Sequence, residues 1–329
     1  MSPPSFVTES ELATELLNRP GLIPVSIDSS RLEITWLDLD GYHCYEGFFH
    51  QSLASYTALC KVPPTSFRTS LDVLASVGIQ QGIYPTGFIF HAGRCGSTLL
   101  AKVLARSRAN LVLSEAAPHN QIWRALPRQN PAAIAIYRNL ILAMGRRRLE
   151  SYRAHVIKFT SFNIAQFGHI RAAFPGVPAL FLFREPAAVL ESYRRRTPGW
   201  IGRDLGVAAS WDEPDAAIEA FFRVAASMAD PDFRCLDYAS LNTGFLPSIL
   251  RFLRMEPSHG DLRAMTSEFG WDAKSGRTPR PFDGVRSTPH SAAPAALAAL
   301  YRQLNQRAAA DWERDRSAAA YLRGKPSLQ

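Results

Sequence analysis

Three groups of residues have types and spacings suited to holding an anion and moving a charged group. The first is His91-Ala92-Gly93-Arg94-Cys95-Gly96-Ser97-Thr98-Leu99-Leu100, which follows the apolar run Phe88-Ile89-Phe90. Gly93 and Gly96 let the backbone turn its N–H groups inward, and a helix starting at Ser97 adds positive potential, so the loop suits an anion. Ser97 and Thr98 supply hydroxyls, and Arg94 places a guanidinium that forks onto phosphate or sulfate oxygens. A tight glycine turn with a capped helix is the plainer reading of the same residues. The second group is Arg184, at the end of Ala179–Phe183, with Ser192 eight residues later. Arg184 can neutralise a dianion while the Ser192 hydroxyl adds a hydrogen bond; the alternative pairs Arg184 with Glu185 or Glu191. The third is Lys158, closing a β-type run, with Glu115 and His119 after another such run.

The cation in the first loop is in an unusual place. Aligned on the nucleotide-kinase pattern G-x-x-x-x-G-K-[ST], Gly96 is the last glycine, Ser97 takes the lysine position and His91 the first glycine position. The positive charge sits mid-loop, at Arg94. Kinases also carry an acidic metal ligand at the end of a neighbouring apolar strand. Here that strand ends in Arg184, and Glu185 comes only afterwards. No Mg²⁺ apparatus of that kind is expected, and no metal is assigned.

These groups need a frame that brings them to one edge. Short apolar runs at Phe88–His91, Leu111–Leu113, His155–Phe159, Ala179–Phe183 and Phe233–Tyr238 alternate with helical stretches. The helices are expected at Ser97 to about Arg106, from Asn130 to about Leu149, from about Asn163 to Ala173, and from Pro186. Further helices are expected near Phe245–Leu253 and Asp261–Phe269. This rhythm predicts an α/β fold, a central parallel sheet with helices on both faces. Ligands of such sheets bind outside the carboxyl ends of the strands, where all three groups fall. Residues 1–82 read as an N-terminal α+β extension, with a helix at Glu9–Leu17 and a half-buried strand at Arg31–Leu37. Residues 83–290 form the core, and 291–329 an Ala-rich helical segment packed on it.

Gly93-Arg94-Cys95-Gly96-Ser97-Thr98-Leu99-Leu100 resembles the 5′-phosphosulfate loop of sulfotransferases that use 3′-phosphoadenosine-5′-phosphosulfate (PAPS). In that family an Arg and a Ser spaced as Arg184 and Ser192 hold the donor's 3′-phosphate. The resemblance covers roughly Tyr84 to Arg286 and implies a P-loop NTPase-like sulfotransferase fold of the bacterial type. It implies a donor site of Gly93, Arg94, Cys95, Gly96, Ser97, Thr98, Arg184 and Ser192, with Lys274 and Arg277 in a loop closing over the 3′-phosphate. It further implies Lys158 and Arg94 at the transferring group, and Glu115 as general base with His119 as rival. PAPS would be the donor and adenosine 3′,5′-bisphosphate the product. The acceptor would be a hydroxyl or amine of a small molecule, lipid or glycan, held against the N-terminal portion, Pro118–Pro131 and Pro198–Trp211. A P-loop kinase-like phosphotransferase and a non-catalytic nucleotide-binding protein are the competing functions.

Composition narrows the rest. The 329 residues are 47% hydrophobic and 20% charged, ordinary for a globular chain. The net charge of +8 favours polyanionic small molecules. The basic residues are scattered, so nucleic acid is not an expected partner. The dense block Arg146-Arg147-Arg148 reads as a solvated helix end. No apolar run approaches the ~18 residues a membrane span needs, so no stable membrane insertion is expected. The N-terminus has no signal-peptide pattern, and a cytoplasmic protein is expected. The four cysteines, Cys44, Cys60, Cys95 and Cys235, form no C-x-x-C pair and suggest neither zinc nor a disulfide framework.

Overall fold

The computed structural model describes residues 5–76, 82–126, 132–203, 211–271 and 292–323, with side chains to 313 in the last stretch. In chain order the N-terminal elements are β1 (Ser5–Phe6), α1 (Glu9–Asn18), β2 (Leu22–Asp28), β3 (Glu33–Asp38), α2 (Phe49–Leu59), β4 (Ser66–Ser70) and α3 (Val73–Ser76). Then follow β5 (Gly87–His91), α4 (Ser97–Ala105), β6 (Asn110–Ser114), α5 (Ala117–Ala125), α6 (Ala133–Met144) and β7 (Ala154–Lys158). A 3₁₀ turn at Ser161–Gln166 leads to α7 (Phe167–Ala173), β8 (Ala179–Phe183), α8 (Pro186–Arg195), α9 (Pro214–Ser227) and β9 (Phe233–Asp237). The chain ends in α10 (Leu246–Phe252), α11 (His259–Ser267) and α12 (Ala295–Arg323).

The main sheet has five strands in the order β6-β7-β5-β8-β9, every pair parallel. All five residues of β5, β6, β7 and β8 are buried, as expected of strands covered on both faces. Successive side chains alternate between two apolar layers. Phe88, Phe90, Phe181 and Phe183 pack with α5, α6, α7 and α9, while Ile89, Leu180 and Leu182 pack with α4, α10 and α11. The α/β architecture read from the strand rhythm is the one observed. β5 lies at the centre, between β7 and β8, so the turn after it opens where the strand order reverses.

The N-terminal residues build a second, four-stranded sheet in the order β1-β4-β3-β2, antiparallel except for the β1–β4 pair. Its side chains, including fully buried Trp36, run continuously into the apolar layer that covers the main sheet. Arg146 and Arg148 tie the two parts together, contrary to the solvated helix end expected of this block. Arg146 is 3% exposed and donates to the carbonyls of Leu16 and Arg19. Arg148 is 6% exposed, with Nε 2.9 Å from the Tyr42 carbonyl. A guanidinium satisfies several carbonyls at once, which is why it serves here as an internal strut. Only Arg147 of the three is exposed.

α12 closes the β9 edge of the main sheet. On edge strand β9, Asp311 accepts from the Cys235 N–H at 2.9 Å and Trp312 donates to the Cys235 carbonyl at 2.8 Å. Two side chains thus occupy the positions a sixth strand would take, removing an edge that invites pairing. No helix among the described residues is long and apolar enough to cross a membrane.

Candidate active site

A cleft of about 400 Å³ opens at the carboxyl end of β5, within the usual range for small-ligand sites. Its floor is the loop between β5 and α4, with Gly93 at φ +84°, Arg94 at +52° and Gly96 at +80°. A side chain at Gly93 would have to displace Tyr193: a Cβ there would stand 1.8 Å from its hydroxyl oxygen. That hydroxyl donates to the Ala92 carbonyl at 3.1 Å, so α8 clamps the loop from the side. Gly96 caps α4 without any side-chain hydrogen bond. The first-turn N–H groups of a helix have no intrahelical partner, and here they stand beside the cleft. Ser97 and Thr98 line it too. Cys95 turns away: it is fully buried, donates to the Leu182 carbonyl, and burial pushes its thiol up to about 11.

Arg94 lines the cleft, stacked 5.5 Å over the Tyr193 ring with one nitrogen 2.7 Å from the Arg196 carbonyl. Arg184 lies behind the same loop, its Nη1 3.4 Å from the Arg94 carbonyl and its guanidinium 4.7 Å over the Tyr238 ring. Neither acid proposed for it is its partner. Glu185 caps α8, accepting from the N–H groups of Ala187 and Ala188 at 2.9 and 2.7 Å, and Glu191 lies 3.5 Å from Arg194. Among the described residues no carboxylate is within ion-pair distance of Arg184, leaving its charge available to an anion. Ser192 is half-buried on α8, one residue before the clamp Tyr193.

Lys158 and Glu115 meet at the ends of neighbouring strands β7 and β6. The Lys158 ammonium is fully buried and bonds directly to Glu115 Oε1, while the Glu115 N–H donates to the Lys158 carbonyl at 2.7 Å. Burial alone would raise the Glu115 carboxyl, but the Lys158 charge and the His91 ring overcome it and hold it down at about 2. Glu115 also carries φ +50°, a strained value for a residue with a side chain. With Arg94, it puts two such residues in one cleft, the kind of place where strain accumulates.

His119 is not in the cleft. It is 1% exposed, lies edge-on to Phe159 with ring centroids 5.5 Å apart, and neither ring nitrogen has a hydrogen-bond partner. Burial, then the nearby His155, pushes its imidazole down to about 3 from 6.5, and burial pushes His155 down to about 4. Each ring is neutral in the fold and takes a proton when unfolded. Their stabilisation is therefore complete above about pH 6.5 and drains away as pH falls towards 3 to 4. His119→Leu should unfold at higher denaturant than the parent at pH 5, with little difference at pH 8. Parallel losses of stability in both proteins between these pH values would refute this.

Other cleft residues carry no sequence motif. Phe48, His50 and Gln51, at the start of α2, form one wall. Phe48 lies 5.1 Å beneath the Lys158 ammonium, and Ser114 donates to the Gly47 carbonyl at 2.8 Å, which holds this wall against the strand ends. Trp200 lines the cleft together with Thr197, Pro198 and Gly199. Trp211, at the far end of the segment expected against the acceptor, is 7% exposed and packs on Trp200 and Phe221. Lys274 and Arg277 lie outside the described residues, as do 127–131 and 204–210. No group of three or more His, Cys, Asp or Glu side chains able to hold a metal occurs among the described residues.

Solved structures similar to this chain are sulfotransferases. The sulfotransferase domain of the Synechococcus PCC 7002 olefin synthase matches 69% of this chain and 95% of its own length, at 17% identity and TM-score 0.41. A Mycobacterium tuberculosis H37Rv sulfotransferase matches 81% of this chain and 95% of its own, at 16% and 0.41. A mouse sulfotransferase complexed with PAP matches 78% and 93%, at 14% and 0.35. No family model matches the chain, and no curated protein matches it in sequence. Likeness this distant assigns no activity, so the chemistry has to be read from the cleft.

Proposed function

We propose that this chain is an enzyme that moves a sulfuryl group from PAPS to a hydroxyl or amine of a small-molecule, lipid or glycan acceptor. The observation that carries the reading is the pair of cationic stations at one loop, one within it and one braced against it. Arg94 faces the cleft from within the loop, and Arg184, free of any carboxylate among the described residues, braces it from behind. Two such stations suit a nucleotide phosphorylated at two separate positions, as on PAPS, better than the single chain of phosphates on ATP. The carboxylate that follows β8, Glu185, is occupied in capping α8 rather than turned to a metal.

In this reading the α4 N-terminus, Ser97 and Thr98 hold the 5′-phosphosulfate. Arg184 and Ser192 hold the 3′-phosphate, with Lys274 and Arg277 assigned to its cover. The donor supplies the group that moves: its bond from sulfur to the phosphate oxygen breaks, with the electron pair going to that oxygen, as the acceptor atom bonds to sulfur. Arg94 and Lys158 neutralise the charge that gathers on the sulfuryl and bridging oxygens. Glu115 receives the acceptor proton. Its carboxylate is a weak base while Lys158 holds it, and gains basicity as Lys158 turns to the donor's oxygens. Phe48, His50, Gln51 and Trp200 form the acceptor side, which assigns residues 1–82 to acceptor binding, 83–290 to the donor and the chemistry, and 291–329 to covering the sheet edge. The four cysteines are unpaired, which accords with a reducing cytoplasm.

The test is release of adenosine 3′,5′-bisphosphate from PAPS over a panel of hydroxyl and amine acceptors, with EDTA present. Acceptor-dependent release is expected. Turnover that requires Mg²⁺ and ATP would replace this reading with a kinase, and tight bisphosphate binding without release would replace it with a binding protein.

A further inference from the structure

His91 opens the anion loop without a role of its own so far, yet it touches the loop and the acid–base pair at once. It is the last residue of β5 and 5% exposed. Its Nδ1 accepts from the Gly93 N–H at 2.9 Å. Its Nε2 lies 2.9 Å from the Phe159 carbonyl and 3.5 Å from Glu115 Oε1. A donor faces one ring nitrogen and two oxygens face the other, so a single protonation state satisfies every neighbour: the neutral ring with its proton on Nε2. A second proton, on Nδ1, would point at the Gly93 N–H.

We propose that His91 is a positioning residue that locks the anion loop and the Glu115 carboxylate into one unit. The proposal rests on the sulfuryl-transfer reading of the cleft. Towards the loop, Nδ1 fixes the Gly93 N–H and with it the positive-φ turn that carries Arg94. Towards the base, Nε2 donates to the Phe159 carbonyl and stands 3.5 Å from the same Glu115 oxygen that binds Lys158. When Lys158 turns to the donor, the Nε2–H is the nearest hydrogen-bond donor left beside Oε1 among the described contacts, shared with the Phe159 carbonyl. It keeps the carboxylate aimed while its basicity rises. Donor binding and proton removal then share one imidazole, one nitrogen for each.

The two nitrogens can be tested apart. His91→Asn keeps an acceptor near the position of Nδ1 and leaves nothing at Nε2. His91→Gln places a donor near Nε2 and leaves no acceptor at Nδ1. The Asn variant should bind adenosine 3′,5′-bisphosphate nearly as the parent does, while kcat falls about tenfold or more, the scale of one hydrogen bond to a charged group. The Gln variant should lose about tenfold in bisphosphate affinity and keep most of kcat at saturating donor. A packing role alone would move both quantities together in both variants, and that result would overturn the proposal. If either variant fails to fold, the nitrogen-15 shifts of the His91 ring in the parent decide. They should report a neutral ring protonated at Nε2 throughout the neutral range, and an Nδ1–H or doubly protonated ring would overturn the linkage. Failure of the parent to bind the bisphosphate would instead sink the reading of the cleft, and the ring spectrum would still test His91.

Discussion

Lys158→Met should lower turnover by about a hundredfold to a thousandfold, the usual effect of removing one preorganised charge from the developing negative group. The same change strips Glu115 of its cation, and breaking one side of a buried ion pair costs about 3–5 kcal/mol, a figure reduced here because Glu115 is 22% exposed. Loss of activity through partial unfolding is therefore a real competitor, and a second variant separates the two. Lys158→Met combined with Glu115→Gln removes both charges and should recover most of the stability, because no unpaired carboxylate remains. It should recover none of the turnover. In the single variant the Glu115 carboxyl should climb from about 2 towards the ordinary carboxylate range, moving the acidic limb of the pH–rate profile upward. A double variant that regains activity along with stability would make the pair structural and leave the chemistry without its cation.

Gly93→Ala should be the most damaging change available in the loop. The new methyl would fall 1.8 Å from the Tyr193 oxygen, at a φ of +84°. The left-handed backbone costs about 1–2 kcal/mol for a residue with a Cβ, and the forced displacement of Tyr193 about 1–3 kcal/mol more. Affinity for adenosine 3′,5′-bisphosphate should fall more than tenfold, because the loop can relieve the contact only by giving up the geometry that carries Arg94. Tyr193→Phe added to Gly93→Ala removes the clashing oxygen but not the backbone strain, so a partial return of melting temperature and affinity is expected. Full recovery would show that sterics alone mattered. Unchanged affinity in Gly93→Ala would remove the loop from the site.

The donor half of the cleft is legible in the sequence because its signals are local. Two glycines at fixed spacing, a strand before and a helix after, and an arginine closing an apolar strand all lie within short windows. β8 is a continuous apolar run, which explains why the expected bounds of Ala179–Phe183 coincide with it. What the sequence hides is tertiary. Phe48, His50 and Gln51 reach the cleft because α2 docks over strand ends far along the chain, and no local pattern encodes that docking. Arg146 and Arg148 look like surface charge until their carbonyl partners are seen. His119 had an overlooked signal: it lies three and four residues before Ile122 and Trp123, the buried face of α5, so helical phase alone turns it inward. His91 stood in view at the first glycine position of the kinase-like loop, but its two-sided role needs Phe159 and Glu115, which other strands supply.

The fold turns these parts into a site by strand order. With β5 central, the loop after it is flanked by the ends of β7 and β8, which deliver Lys158 and Arg184 from opposite sides. The central claim is that this edge receives a nucleotide carrying phosphate at both its 3′ and 5′ positions. Thermal unfolding with adenosine 3′,5′-bisphosphate, AMP or ATP tests it without knowledge of the acceptor. Ligand at a hundred times its Kd adds ~2.7 kcal/mol of stability. The bisphosphate should therefore raise the melting temperature at concentrations where AMP and ATP do little, and Arg184→Ala should reduce its effect to that of AMP. Equal stabilisation by all three nucleotides, or a bisphosphate preference that survives Arg184→Ala, would contradict the account.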